Sequence, residues 1–187
     1  TNISIEDIWR DYKFYPNFLG EVHWVGNHDF VQLDNKTSLH PSITTFSIAT
    51  GEKTGVLLES RKYENFIMNF LKSENSPFGE ESKELKNFLI TDFELSPNRK
   101  DLLLTLGSEK LYRYSLQSYL LLYEIDKSLF HFVPTKSKVF YPKFSPDGKY
   151  VSYVCENNIF VYNIGLGTTK QLTINGVKNE IINGMSD

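Results

Sequence analysis

The 187-residue chain is 40% hydrophobic and 14% aromatic with a formal net charge of −3, which supplies a packed core and no basic stripe for nucleic acid. Its longest run of apolar and aromatic residues, Tyr119 to Tyr123, is far shorter than the ~20 residues of a spanning helix. Cys155 is the only cysteine, which excludes an internal disulfide and a cysteine-rich metal site. The chain opens at Thr1 without a Met or a charged-then-apolar leader and stops abruptly at "NGMSD", so it reads as a segment of something longer.

At the N-terminus, "SIEDIWRDY" places Asp7 three residues after Ser4, a capping-box signature for a short helix. "HWVGNHDFVQLD" and "TFSIATGEKTGVLL", ending at Leu58, read as strand–turn–strand units. "RKYENFIMNFLKS" then puts Tyr63, Phe66, Ile67, Phe70 and Leu71 on one helical face. It is expected to be an inserted helix within residues 59–90, with "SENSPFGEESKE" as a solvated loop.

The strand grammar resumes in "ELSPNRKDLLLTLG" (94–107) and "YEIDKSLFHFV" (123–133), and again in "FSPDGKYVSYVCENNIFVYNIGLGTTKQLT" (144–173). In "SPDG", Pro146 presets φ, Asp147 accepts a local hydrogen bond and Gly148 tolerates positive φ. "KYVSYVC", "IFVYNI" and "QLT" are expected as three strands joined by tight turns. Three such copies point to β-propeller blades, because each sheet buries its faces only against its neighbours. From turn serine to paired tyrosine is 27 residues in one copy (Ser96 to Tyr123) and 17 in the next (Ser145 to Tyr162). The difference, 27 − 17 = 10 residues, falls around Arg113.

Catalytic machinery is not expected. Gly184-Met185-Ser186 is followed by Asp187 where a nucleophile elbow needs x-Gly, so Ser186 reads as a loop residue. His23, His28, His40 and His131 show no metal-ligand spacing, and Glu80, Glu81 and Lys83 read as a solvated polar face. No glycine-rich phosphate loop follows a strand, and no cofactor or metal is expected. Arg113 has two readings. It is either a surface cation pairing with Glu109 or Glu124, worth little, or a functional residue carried by an extended loop.

"YRYSLQSYLLLYEID", with Arg113, Ser115, Tyr119 and Tyr123, resembles the dipeptidyl peptidase IV family, in which an arginine precedes Ser, an aromatic strand and Tyr-Asp at fixed distance. The stretch from "SPDGKYVSYV" through "LT" to the "I-x-N-G-x-x-D" motif of Asn183, Gly184 and Asp187 is similar to that family's next blade and its exit, and "ISIEDIW" to its entry helix. Tyr114 and Leu116 depart from the usual residues at their places. The resemblance implies a mainly β fold: about three antiparallel blades of an eight-bladed propeller, with a helical entry over 1–20, the blades over 21–187 and a helical insertion at 59–90. It implies a parent chain that is a serine exopeptidase releasing X-Pro or X-Ala dipeptides, exported to a periplasm or cell surface and homodimeric. Arg113 would bind a carbonyl oxygen of the peptide substrate. The α/β-hydrolase domain with the triad, and a glutamate pair for the α-amine, would lie outside this segment, leaving it inactive alone. The alternative is a non-catalytic propeller that binds peptides or acts as a scaffold.

Overall fold

A computed structural model describes residues 3–14, 22–34, 41–72, 88–110 and 115–185. Helix α1 (Ile5–Trp9) forms where the capping box predicts it: Ser4 Oγ accepts from the Asp7 amide and Asp7 returns the bond to the Ser4 amide. The helix buries none of its residues, so these caps hold it without help from a core.

The strands build three meanders of four strands each. The first is β1 (Val22–Val25), β2 (Asp29–Asp34), β3 (Ser42–Ser47) and β4 (Lys53–Leu58), paired in chain order. The second is β5 (Ile90–Leu95), β6 (Asp101–Lys110), β7 (Leu116–Glu124) and β8 (Leu129–Phe132). The third is β9 (Val139–Phe144), β10 (Tyr150–Cys155), β11 (Asn158–Asn163) and β12 (Thr168–Gln171). All pairings are antiparallel, so the fold is mainly β and the copies are blades.

Two details differ from the expectation. The third copy has four strands, because "VFYPKF" is β9; its internal Tyr-Pro interrupts the alternation that marks a strand. The last strand is Thr168–Gln171, while Leu172 and Thr173 follow it and serve the turn chemistry described below.

The serine–proline turns repeat atom by atom. Ser96 Oγ accepts from the Asp101 amide at 2.9 Å and Ser145 Oγ from the Tyr150 amide at 3.0 Å. Asn98 and Asp147 each accept the amide two residues on, at 3.0 and 3.1 Å. Gly148 sits at φ +68°, whereas the matching position of the second blade is held by Arg99 at φ +60°. That left-handed geometry is free for glycine and strained for arginine.

β6 and β7 are buried on both faces, which is why they read as leucine runs instead of alternating polar and apolar residues. Leu102, Leu104, Leu106, Leu121 and Tyr123 pack toward blade one with Val31, Ile43 and Leu58. Leu103, Leu120 and Leu122 pack toward blade three with Val151, Tyr153 and Tyr162. Each fully buried side chain of this kind contributes about 1.5–3 kcal/mol of transfer free energy.

Helix α2 (Ser60–Lys72) lies between blades one and two in sequence and packs on the second. Tyr63 and Ile67 are fully buried. Phe66 stacks on Phe130 at 5.0 Å and Phe70 lies 4.4 Å from Phe132, both on β8. The face predicted from the 3.6-residue spacing is therefore the one that docks.

Candidate functional site

The β6–β7 hairpin is the place where the blade grammar is exceeded. β6 has ten residues and its counterpart β10 has six. The register shifts between Leu106 and Glu109, around Gly107 at φ +54°, and pairing then continues through Glu109↔Gln117 to Lys110↔Leu116. Arg113 belongs to residues 111–114, which lie outside the described residues. Both strands that lead to them are described.

Blade three braces those strands. Gln117 and Ser118 of β7 pair with Phe140 and Val139 of β9, joining blades two and three into one eight-stranded sheet. Lys138 Nζ donates to the Gly107 carbonyl at 2.6 Å and to Glu109 Oε1 at 2.6 Å. Gln117 Nε2 donates to Glu109 Oε2 at 3.2 Å. The bond from Lys138 holds the Glu109 carboxyl below the usual carboxylate range. Ser115, buried, shares a 3.0 Å hydrogen bond with Tyr141 Oη.

Beside these strands lies a cavity of about 280 Å³, lined among others by His23, Asp92, Glu94, Ser118, Tyr141 and Lys143. Thr91 Oγ1 meets Ser108 Oγ at 2.5 Å in its wall, and Lys143 Nζ reaches Glu94 Oε2 at 3.4 Å from one blade to the next. His23 tilts against Phe93 at 4.6 Å, and its Nε2 is buried without a hydrogen-bond partner among the described residues. The lining combines hydroxyls, carboxylates and an ammonium with the apolar side chains of Phe93, Leu103, Leu116 and Pro142.

The alternative partners of Arg113 are now placed. Glu109 carries Lys138 and Gln117. Glu124 stands at the far end of β7, ~26 Å from Leu116 at ~3.3 Å per residue, with Lys127 Nζ at 2.5 Å and His131 Nδ1 at 3.9 Å. Burial pushes the His131 imidazole down, against the neighbouring Glu124. Among the described residues no group of three or more His, Cys, Asp and Glu side chains is placed to hold a metal ion. His40, Glu80, Glu81, Lys83, Ser186 and Asp187 lie outside the described residues.

The exit motif is structural. Asn158 Oδ1 accepts from Thr173 Oγ1 at 3.1 Å and the Gly176 amide at 3.0 Å. Asn183 donates from its side chain to the Asn157 carbonyl at 3.1 Å and to Asn175 Oδ1 at 3.1 Å. Gly184 has φ +75°, and a Cβ there would stand 2.8 Å from Val154 Cγ2. The asparagine ties the segment under the β10–β11 turn, and the glycine lets it pass against β10.

Residues 96–187 match the family model described as the dipeptidyl peptidase IV (DPP IV) N-terminal region. Those residues, just under half of the chain, are similar to the N-terminal region of the dipeptidyl peptidase IV family. It is 24% identical to human prolyl endopeptidase FAP over 192 aligned residues, covering 99% of this chain and 21% of that protein. It is 26% identical to dipeptidyl peptidase 4 of Felis catus over 178 residues, covering 94% and 19%. The chain thus spans about a fifth of the length of these relatives. The crystal structure of Porphyromonas gingivalis dipeptidyl peptidase 4 superposes with a TM-score of 0.68 at 22% identity, over 94% of this chain and 22% of that one. That likeness confirms the propeller-type arrangement of the meanders.

Sequence reasoning singled out Arg113 and missed Tyr141, Lys138 and the Asn158 network. The Pro142 inside β9 was the available signal for the first, since proline within a strand marks an edge or a bulge. The partners of Lys138 are 29 and 31 residues away in sequence, beyond any local pattern.

Proposed function

We propose that this chain is the propeller part of an exported serine exopeptidase that releases X-Pro or X-Ala dipeptides from peptide N-termini, and that its share of the work is substrate positioning. Arg113 binds a carbonyl oxygen of the dipeptide by a charge-assisted hydrogen bond, while the nucleophile is supplied by an α/β-hydrolase domain of the longer chain. Held at the amine by acids and at the next carbonyl by the arginine, a peptide presents one fixed bond to the serine, a gain from orientation. The observation that carries this role is the braced extension: the hairpin that departs from the blade pattern leads to Arg113, and blade three grips both of its strands. Random surface loops gain nothing from such bracing, whereas a residue that must meet a substrate atom does.

The test is Arg113→Ala in the full-length protein. It is expected to lower kcat/KM on an X-Pro substrate by roughly 10- to 150-fold, the equivalent of about 1.5–3 kcal/mol for a hydrogen bond to a charged group. Wild-type kcat/KM in that variant overturns the assignment, and a full-length protein with no peptidase activity at all favours a peptide-binding scaffold.

A further inference from the structure

Blades two and three meet across an apolar face that carries a histidine on its outer strand. In register, Leu103 of β6 stands beside Leu122 of β7, and Leu122 beside His131 of β8. Cross-strand partners share a face of the sheet. The two leucines that pack toward Val151, Tyr153 and Tyr162 of blade three are therefore continued outward by an imidazole. Its ring lies 6.2 Å from the Tyr162 ring across the blade boundary. An apolar side chain would simply extend the row, whereas histidine changes charge between about pH 5 and 8.

The surroundings favour the neutral ring. Nε2 is buried without a hydrogen-bond partner among the described residues, which suits the lone-pair nitrogen of a neutral imidazole. Nδ1 faces Glu124 Oε1 at 3.9 Å, too long for a hydrogen bond, and the other oxygen of that carboxylate accepts from Lys127 Nζ at 2.5 Å. Glu124 draws a proton in, while Lys127, in the turn between β7 and β8, opposes it. Asp101 of β6 stands opposite Glu124. From blade three comes Tyr162, whose phenol burial and then Glu124 push up, so it stays neutral. Lys136, exposed and 3.9 Å from Glu156, shares with His131 a cavity of about 620 Å³ to which α2 brings Phe66 and Phe70. Burial wins this balance and holds the imidazole below its ordinary value. A second ring proton would put a donor on Nε2 without an acceptor, and a charge into a face of leucine and tyrosine, both costly.

We propose that His131 makes the joint between blades two and three acid-sensitive: when its imidazole takes up a proton, β8 and the facing strand β11 part more readily, while blade one keeps its protection. A base whose folded-state pKa is depressed binds more protons unfolded than folded. Its contribution to stability is present above the ordinary imidazole value of about 6.5 and is lost as pH falls below it. Asp101 works in the opposite sense, since a raised carboxyl pKa favours the folded state on acidification. The device does not depend on the role proposed for Arg113.

The experiment is amide hydrogen exchange in the full-length protein, with wild type, His131→Phe and His131→Gln compared at the same pH so that intrinsic rates cancel. The readout is the ratio of wild-type to variant exchange over residues 129–132 and 158–163, the strands β8 and β11. Between about pH 7.5 and about pH 5.5 this ratio should rise roughly three- to tenfold, tenfold being the ceiling that one proton sets at one unit below the imidazole value. A variant that is merely less stable at both pH values does not imitate a change in ratio. Over residues 29–34 and 42–47 of blade one the ratio should stay constant. Glu124→Gln, which keeps the histidine, should keep the acid response. A ratio that does not move with pH in either His131 variant overturns the inference. So does a response that vanishes in Glu124→Gln and persists in His131→Phe, because the carboxylate would then be the sensor.

Discussion

Asp101 is nearly buried at the start of β6, directly opposite Glu124 on β7. Burial, and then the neighbouring Glu124 charge, raise its carboxyl above the usual range. A carboxyl with a raised folded-state pKa binds more protons folded than unfolded, so its contribution to stability falls as pH rises through that range. Asp101→Asn removes a buried charge that Lys127 and Lys100 offset only in part and should raise the melting temperature at pH 7. The gain should shrink as pH falls and approach zero only below about pH 3, where the aspartic acid is protonated in both states; an equal gain at both pH values would contradict the electrostatic cause. Arg113 and Tyr141 belong to the same scale. The first was visible in the sequence because it interrupts an aromatic lead-in, and the second was hidden because its meaning lies in a partner 26 residues away.

At the level of elements, helix α2 illustrates a pattern that is legible and a purpose that is not. Its apolar spacing predicted the buried face correctly, but only packing shows that this face docks on the aromatic side chains of β8. Ile67 lies at the centre of that face with no exposed surface. Ile67→Ala should destabilise by about 2–5 kcal/mol through lost burial and the cavity left behind, measurable by urea unfolding. Met68→Ala, on the half-exposed side of the same helix, should cost far less, and equal losses would mean the helix is not docked as seen. The β6–β7 hairpin shows the converse case. Ten additional residues were countable in the sequence, yet their bracing by β9 joins parts that no periodicity connects.

On the scale of the whole molecule, the described strands form three successive blades that share two hydrophobic clusters. Leu103, Leu120 and Leu122 of blade two receive blade three. The registers put Ser152, Ile159 and Val161 at the matching positions of blade three, beside the exposed Leu172 and Ile174. At the other end, Trp24, Phe30 and Phe46 form one cross-strand row on the face of blade one turned away from blade two. Trp24 and Phe30 centroids are 6.3 Å apart, and Phe30 and Phe46 are stacked at 5.4 Å. With Trp24 exposed in that row and Leu172 and Ile174 exposed beside blade three, the 187-residue chain on its own should associate head to tail, blade one of one copy on blade three of the next. Such a heterologous contact does not close on itself and grows with concentration. Light scattering after chromatography should show oligomers that Trp24→Glu diminishes. A stable, sharply melting monomer would overturn this.

What the sequence determined by itself was local: capping at Ser4, the serine–proline turns, the amphipathic face of α2, the repeated strand grammar, and the family resemblance carried by the residues around Arg113, Asn183 and Gly184. These depend on side chains within a few positions of one another, where hydrogen-bond reach and periodicity suffice. Only the tertiary structure decided that the leucine runs are buried on two faces, that the exit motif is a structural tie, and that blade three braces the hairpin leading to Arg113. Those facts arise from packing one blade on the next, which brings together residues tens of positions apart and leaves no local mark in the chain.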